Sequence, residues 1–259
     1  MPVAGGWGLV ALVLALAGCG AAPLPQAVQN RIEEAKGEPT FPAADRPVAT
    51  IVSSRWSNEE ARDRLNEAPQ VMDKAGIAKG MTVADIGAGE GYYTTRLSQR
   101  VGPTGRVLAE DIVPEVRDAL AERVTRERIA NVSVRLGEPD DPKLPPASFD
   151  RILLVHMYHE IASPYAFLWA MRPALRTGGR VVVVDADRPT QNHGTPPELL
   201  RCEFAAIGYR QVSLEKMPSA GGYLAMFEAS GERPQPATIK PCRINEPAPS
   251  APQPDAHGN

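Results

Sequence analysis

The sequence predicts an α/β fold: a doubly wound, mostly parallel sheet of seven strands closed by a C-terminal antiparallel hairpin. Three observations carry this. Strand-like and helix-like patterns alternate from residue 82 to residue 206. One strand pattern holds the unbroken run Val181-Val-Val-Val184, as expected of a parallel sheet covered on both faces. The last two strand patterns are separated only by Met-Pro-Ser-Ala-Gly-Gly, too short for a crossover helix, so they must pair antiparallel.

The elements follow in order. Ser57-Asn-Glu-Glu60 has capping-box spacing, in which hydroxyl and carboxylate satisfy terminal N–H groups reciprocally. The helix it opens places Ala61, Leu65, Ala68, Val71 and Met72 roughly on one face, with Pro69 expected to break or kink it. Parallel strands are predicted at Thr82–Ile86, Arg106–Glu110, Val132–Leu136, Arg151–Val155 and Arg180–Val184. Helices are predicted at Tyr92–Arg100, Pro114–Arg128, Pro164–Leu175 and Pro197–Ala206, with Gly178-Gly179 read as a helix C-cap. The hairpin strands are Gln211–Lys216 and Tyr223–Glu228.

With 259 residues, 43% of them hydrophobic, the chain can bury one sizeable core. Its 28 basic and 31 acidic residues nearly balance, which excludes a nucleic-acid footprint. The apolar run Leu9–Ala17 is too short to span a bilayer but suits a signal-peptide core, although no Lys or Arg precedes it. Leu16-Ala17-Gly18-Cys19 resembles the bacterial lipobox, which implies cleavage before Cys19 and its lipidation. The expectation is an exported lipoprotein anchored to the membrane through Cys19 at the periplasmic face. Gly20 stands where inner-membrane retention commonly uses Asp, which favours the outer membrane.

The domain boundaries follow: a signal peptide at 1–19, an Ala/Pro/Gln-rich tether at 20–47, the folded domain at 48–230 and a Pro-rich, disordered tail at 231–259. Cys202 falls in a predicted helix and is expected as a buried free thiol. A bond to Cys242 is left open, although an oxidising periplasm permits one.

The most informative stretch is Val83-Ala-Asp-Ile-Gly-Ala-Gly-Glu-Gly-Tyr-Tyr-Thr94. A β-prone run ends in Asp85, and Gly87, Gly89 and Gly91 alternate before an amphipathic helix. Such glycines let the backbone turn sharply and approach a ligand, and the helix start offers free N–H donors. The dinucleotide fingerprint Gly-x-Gly-x-x-Gly/Ala fails in both registers, ending on Tyr92 or on Thr94. No Gly-Lys-Ser/Thr is present, so a P-loop is excluded.

Asp85-x-Gly-x-Gly-x-Gly91 instead resembles the first motif of class I, Rossmann-like S-adenosylmethionine (SAM) methyltransferases. The resemblance covers roughly residues 55–229 and implies the Rossmann-like seven-stranded sheet with SAM as cofactor. It makes Asp85, Gly87, Gly89, Gly91 and Tyr92 cofactor-binding, with the Tyr92 and Tyr93 rings candidates to face the sulfonium. Gly105 to Glu115 resembles the second motif, which makes Asp111 the ribose ligand and Glu110 the fallback. Glu138 matches the acidic residue that meets the adenine amino group, although Pro139 removes a backbone donor there.

After the fourth strand, His156-Met-Tyr158-His159-Glu160 stands where the family places catalytic groups. His156 or His159 would be the general base, needed only when the acceptor must lose a proton, with Glu160 as orienter. Asn192 and His193 are candidates for acceptor recognition, and Arg55-Trp56 for the core or a lid. A metal held by some of His156, His159, Glu160, Asp185, Asp187 and His193 is a minor alternative, because no tight ligand spacing appears; no metal is expected. The implied activity is methyl transfer to a small-molecule or lipid-like acceptor. The alternative is an exported binding module that keeps the fold without turnover.

Overall fold

The computed structural model describes residues 40–51 and 59–243. The apolar run, Cys19, Arg55, Trp56 and the Ser57 cap lie outside them. The described elements are α1 (Glu59–Arg64), α2 (Glu67–Lys74), β1 (Thr82–Ile86), α3 (Tyr92–Val101), β2 (Arg106–Asp111), α4 (Pro114–Arg126), β3 (Val132–Leu136), β4 (Phe149–Val155), α5 (Pro164–Met171), β5 (Leu175–Asp185), α6 (Pro197–Ala206), β6 (Tyr209–Met217) and β7 (Gly222–Ala229). Their strands form one seven-stranded sheet in the order β3-β2-β1-β4-β5-β7-β6. Strands β1 to β5 pair parallel, and β7 inserts antiparallel between β5 and β6.

The hydrophobic pattern explains the layers. Val181 to Val184 are all fully buried, with alternate residues feeding the cores on opposite faces. Burying each such aliphatic side chain contributes about 1.5–3 kcal/mol. Because the order runs outward from β1 in one direction and from β4 in the other, a crevice opens beyond their carboxyl ends, where open α/β sheets bind ligands.

Several expectations need correction. The single helix around Pro69 is two helices, and the break is at Asn66, whose φ is 55°, not at the proline. Pro69 sits in the first turn of α2, where a missing N–H costs no helical bond. Leu65, at the break, is 57% exposed and leaves the expected apolar face. Gly178-Gly179 does not cap a helix: α5 ends at Met171, and the pair lies inside β5, opposite an irregularity in the pairing with β4. A Cβ at Gly179 would come within 2.6 Å of the Phe149 carbonyl, so close backbone approach demands glycine there.

The flanks differ too. Part of the expected tether packs on the domain: Arg46 is buried and its Nε donates to Glu203 Oε1 at 2.9 Å. Residues 231–243 of the expected disordered tail pack on the domain, with Ile239 and Cys242 buried and Trp169 Nε1 donating to the Pro234 carbonyl. Cys202 is not a free thiol; it is bonded to Cys242, tying this segment to α6. Among the described residues, no helix is long and apolar enough to cross a membrane.

Candidate active site

A cavity of about 550 Å³ occupies the crevice. One wall is the glycine loop. Gly87, Gly89 and Gly91 adopt φ of 64°, 55° and 90°, the left-handed region that side chains resist. Gly87 and Gly89 line the cavity, while Gly91 stands just before α3, where a Cβ would lie 2.5 Å from Leu120 Cδ1. At Gly87 the crowding is milder, a Cβ meeting the Met157 side chain at 3.1 Å.

The acids at the strand ends divide their work. Asp85 is buried and sits beneath the loop, outside the cavity lining, where its Oδ2 accepts the Thr94 hydroxyl at 2.6 Å. Burial, aided by nearby Asp111, raises its carboxyl to about 6, against the opposing pull of Thr94 and Arg62. Asp111 lines the cavity and accepts the N–H groups of Gly89 and Val113, both at 3.0 Å, one on each oxygen. Glu110 also lines the cavity; its Oε1 is buried without a hydrogen-bond partner among the described residues. Burial first, and then Asp111, lift its carboxyl to about 8. A side chain at Gly137 would collide with that carboxylate, so the glycine makes room for it. Glu138 stands apart: it pairs with Lys143 Nζ at 3.1 Å in an exposed turn, and Pro139 lines the cavity beside it.

The opposite wall comes from scattered segments. His156 leaves β4 with φ 55° and brings its Nε2 to 3.6 Å from Glu67 Oε1. Glu67 also takes both nitrogens of the Arg62 fork, at 3.1 and 2.5 Å, and the Tyr93 hydroxyl at 2.9 Å. Burial works to raise the Glu67 carboxyl, but His156 and Arg62 outweigh it and hold the group at about 2. The guanidiniums of Arg62 and Arg96 each lie 3.9 Å from the Tyr92 ring centroid, so protein cations already engage the ring expected to face a sulfonium. Tyr93 is a buried core residue.

His159 is buried against Asp185, its Nδ1 lying 3.0 and 3.1 Å from the two carboxylate oxygens. Asp185 also accepts the Thr195 hydroxyl at 2.7 Å and the Ala186 N–H at 2.8 Å. The His159 carbonyl accepts the Ala49 N–H at 3.1 Å, so the N-terminal strap holds this turn down. Glu160 and His193 line the cavity beside it, and the His159 and His193 rings meet edge to face at 5.4 Å. His156, His159 and Glu160 thus share one cavity with Gly87, Gly89, Tyr92 and Asp111. Glu67, Arg62 and the strap escaped sequence reasoning, since no motif marks a carboxylate brought in by a distant helix.

A glycine cradle over buried acids at the switch point of this sheet defines a Rossmann-like nucleotide-type cofactor site, and comparison with known proteins gives it a family. Residues 77–229 match the model of the family described as "Methyltransferase domain", and the chain belongs to that family. Among curated relatives, a protein-L-isoaspartate O-methyltransferase of Methanothrix thermoacetophila is 31% identical over 111 residues, 43% of this chain and 50% of that protein. A ubiquinone/menaquinone biosynthesis C-methyltransferase of Hahella chejuensis is 29% identical over 125 residues, 46% of this chain and 48% of that protein. The chain thus spans about half the length of these relatives.

The fold is shared with a SAM-dependent methyltransferase from Aquifex aeolicus (TM-score 0.56, 22% identity, covering 66% of this chain and 97% of that one). It is shared equally with the [4+2]-cyclase SpnF (TM-score 0.55, 15% identity, 79% of this chain and 93% of that one). SAM is the cofactor of the family, and the residues fit it. The left-handed glycines open a cradle, and the unpartnered Glu110 oxygen beside Asp111 offers the acceptors that ribose hydroxyls need.

Proposed function

We propose that this protein is a SAM-dependent methyltransferase acting on a small-molecule or lipid-like acceptor, exported and anchored to the membrane through lipidated Cys19. The observation that carries the reading is the shared cavity: a glycine cradle with buried acids on one side and His156, His159 and Glu160 on the other. When bound, the cofactor supplies an electrophilic methyl group on a sulfonium. Glu110 and Asp111 hold the ribose, while Gly87 and Gly89 admit the rest of the cofactor to the backbone. The histidine wall receives the acceptor. Positioning supplies much of the rate in such a displacement, so the placing of His156 beside Glu67 and the buried backing of His159 by Asp185 are the chain's chief contribution.

Export is supported by the lipobox and by the Cys202–Cys242 bond, which suits an oxidising compartment. The test of activity is to incubate the full-length protein with SAM and fractionated small-molecule and lipid extracts, following S-adenosylhomocysteine. Turnover that is lost in Asp111→Ala supports the enzyme; SAM binding without turnover across every fraction would favour the binding module. For the anchor, wild type should enter the membrane fraction and Cys19→Ser should not. Wild type found in the cytosol without lipid would refute export.

A further inference from the structure

We propose that His159, Glu160 and His193 form a binding site for one divalent transition-metal ion, Zn²⁺ foremost, on the acceptor side of the cavity. One ligand atom from each of the three lies within 4.8 Å of the others. Bonds of about 2.0–2.2 Å at tetrahedral angles place ligand atoms roughly 3.3–3.6 Å apart, so closure requires side-chain shifts of up to about 1.5 Å at the widest pair, within the reach of a rotamer adjustment at Glu160 or His193. Two imidazoles and a carboxylate suit Zn²⁺, Co²⁺ or Fe²⁺, whereas Mg²⁺ and Ca²⁺ favour oxygen-only shells.

A second observation points the same way. Metal-ligating histidines characteristically donate their other ring N–H to a carboxylate, which fixes the tautomer and raises ligand basicity. Asp185 does this for His159. It is fully buried and already accepts from Thr195 and Ala186, so it acts as acceptor toward Nδ1 and leaves Nε2 as the ring nitrogen available to a ligand. The ring cannot drift, because Ala49 holds the His159 carbonyl and the pair is enclosed. His193 is set by a left-handed backbone, φ 57°, and its carbonyl accepts Arg188 Nε at 3.0 Å.

Three protein ligands on one side of a cavity leave coordination positions open, as in catalytic rather than structural zinc sites. The site would therefore bind an anionic oxygen of the acceptor, a carboxylate or phenolate. This last step rests on the methyltransferase reading; the metal site itself does not.

The test uses the full-length protein, stripped with chelator and titrated with Co²⁺ in the absence of SAM. Expected is one Co²⁺ per chain with visible ligand-field bands, displaced by Zn²⁺ and perturbed by azide at an open position. His193→Ala or Glu160→Gln should weaken binding at least 100-fold, and Asp185→Asn about 10–100-fold. Far-UV circular dichroism and urea-unfolding transitions of the His193 and Glu160 variants, unchanged from wild type, report that they are folded. No Co²⁺ bound at micromolar concentration, or binding that survives both His193→Ala and Glu160→Gln, overturns the site. Bands that ignore azide overturn its open position. An intact Co²⁺ spectrum in a protein that binds no SAM would instead count against the methyltransferase reading alone.

Discussion

The two walls of the cavity are held in place by different means. The cofactor wall is nearly local: ten residues of continuous chain, from Asp85 to Thr94, supply the strand end, the left-handed turns and the helix start, with Asp85 bonded to Thr94 across them, and only Glu110 and Asp111 join from the neighbouring strand β2. The histidine wall is assembled from far-apart pieces. Glu67 arrives from α2, His156 to Glu160 from the end of β4, and Asp185 to Thr195 from the end of β5. Its turn at His159 is tied down by the 40–51 strap, which Arg46 locks to Glu203 and Tyr158. A wall made of backbone curvature resists change unless a glycine is lost. A wall made of side-chain networks depends on groups far outside the cavity.

That contrast can be broken at its anchors. Removing the guanidinium in Arg46→Ala leaves the fully buried Glu203 and its Tyr158 partner facing an uncompensated charge. The expected cost is about 3–5 kcal/mol in urea unfolding. Breaking the 40-residue Cys202–Cys242 link comes next: Cys202→Ser should lower stability by about 2–4 kcal/mol, and a reducing agent should do the same to wild type but not to the variant. On the cofactor wall, Gly91→Ala should cost about 1–3 kcal/mol through its φ of 90° alone, with further crowding against Leu120. SAM affinity should fall with it, whereas Arg46→Ala should leave SAM affinity closer to wild type than its stability loss suggests.

A subtler difference lies in pH. Glu110 is raised in the folded protein to about 8, so the folded state holds a proton that the unfolded chain has released. The stability this contributes is complete below the ordinary glutamate range and is lost as pH rises through about 8. Asp85 adds the same sign lower down, through about 6. Unfolding free energy should therefore fall between mildly acidic and mildly alkaline pH, and Glu110→Gln should flatten the upper part of that slope. SAM binding should tighten over the same window, since ribose hydroxyls prefer an ionised acceptor.

How much was legible in the sequence follows the same division. The seven strands and the glycine loop were readable because short-range pattern dictates them: β-branched runs, alternating glycines and a linker too short for a helix. Asp111 and the fallback Glu110 were located by their place at the end of β2, but which oxygen stays unpartnered depends on burial and on Gly137, just past the end of the next strand. Gly178-Gly179 misled because a glycine pair fits a helix end and a strand irregularity equally well until its neighbour Phe149 is known. Glu67, the strap and the disulfide were illegible, since each is defined by a partner more than 35 residues away. The polar cluster His156 to Glu160 announced itself, yet its backing by Glu67 and Asp185 did not.

The central claim is that the cradle between the glycine loop and the β2 acids holds SAM. Calorimetric titration of the full-length protein with SAM tests it most directly. The expected result is one site per chain with micromolar affinity, weakened at least tenfold by Asp111→Ala and by Glu110→Gln in folded variants. No heat of binding at millimolar SAM, or an affinity indifferent to both substitutions, would contradict it.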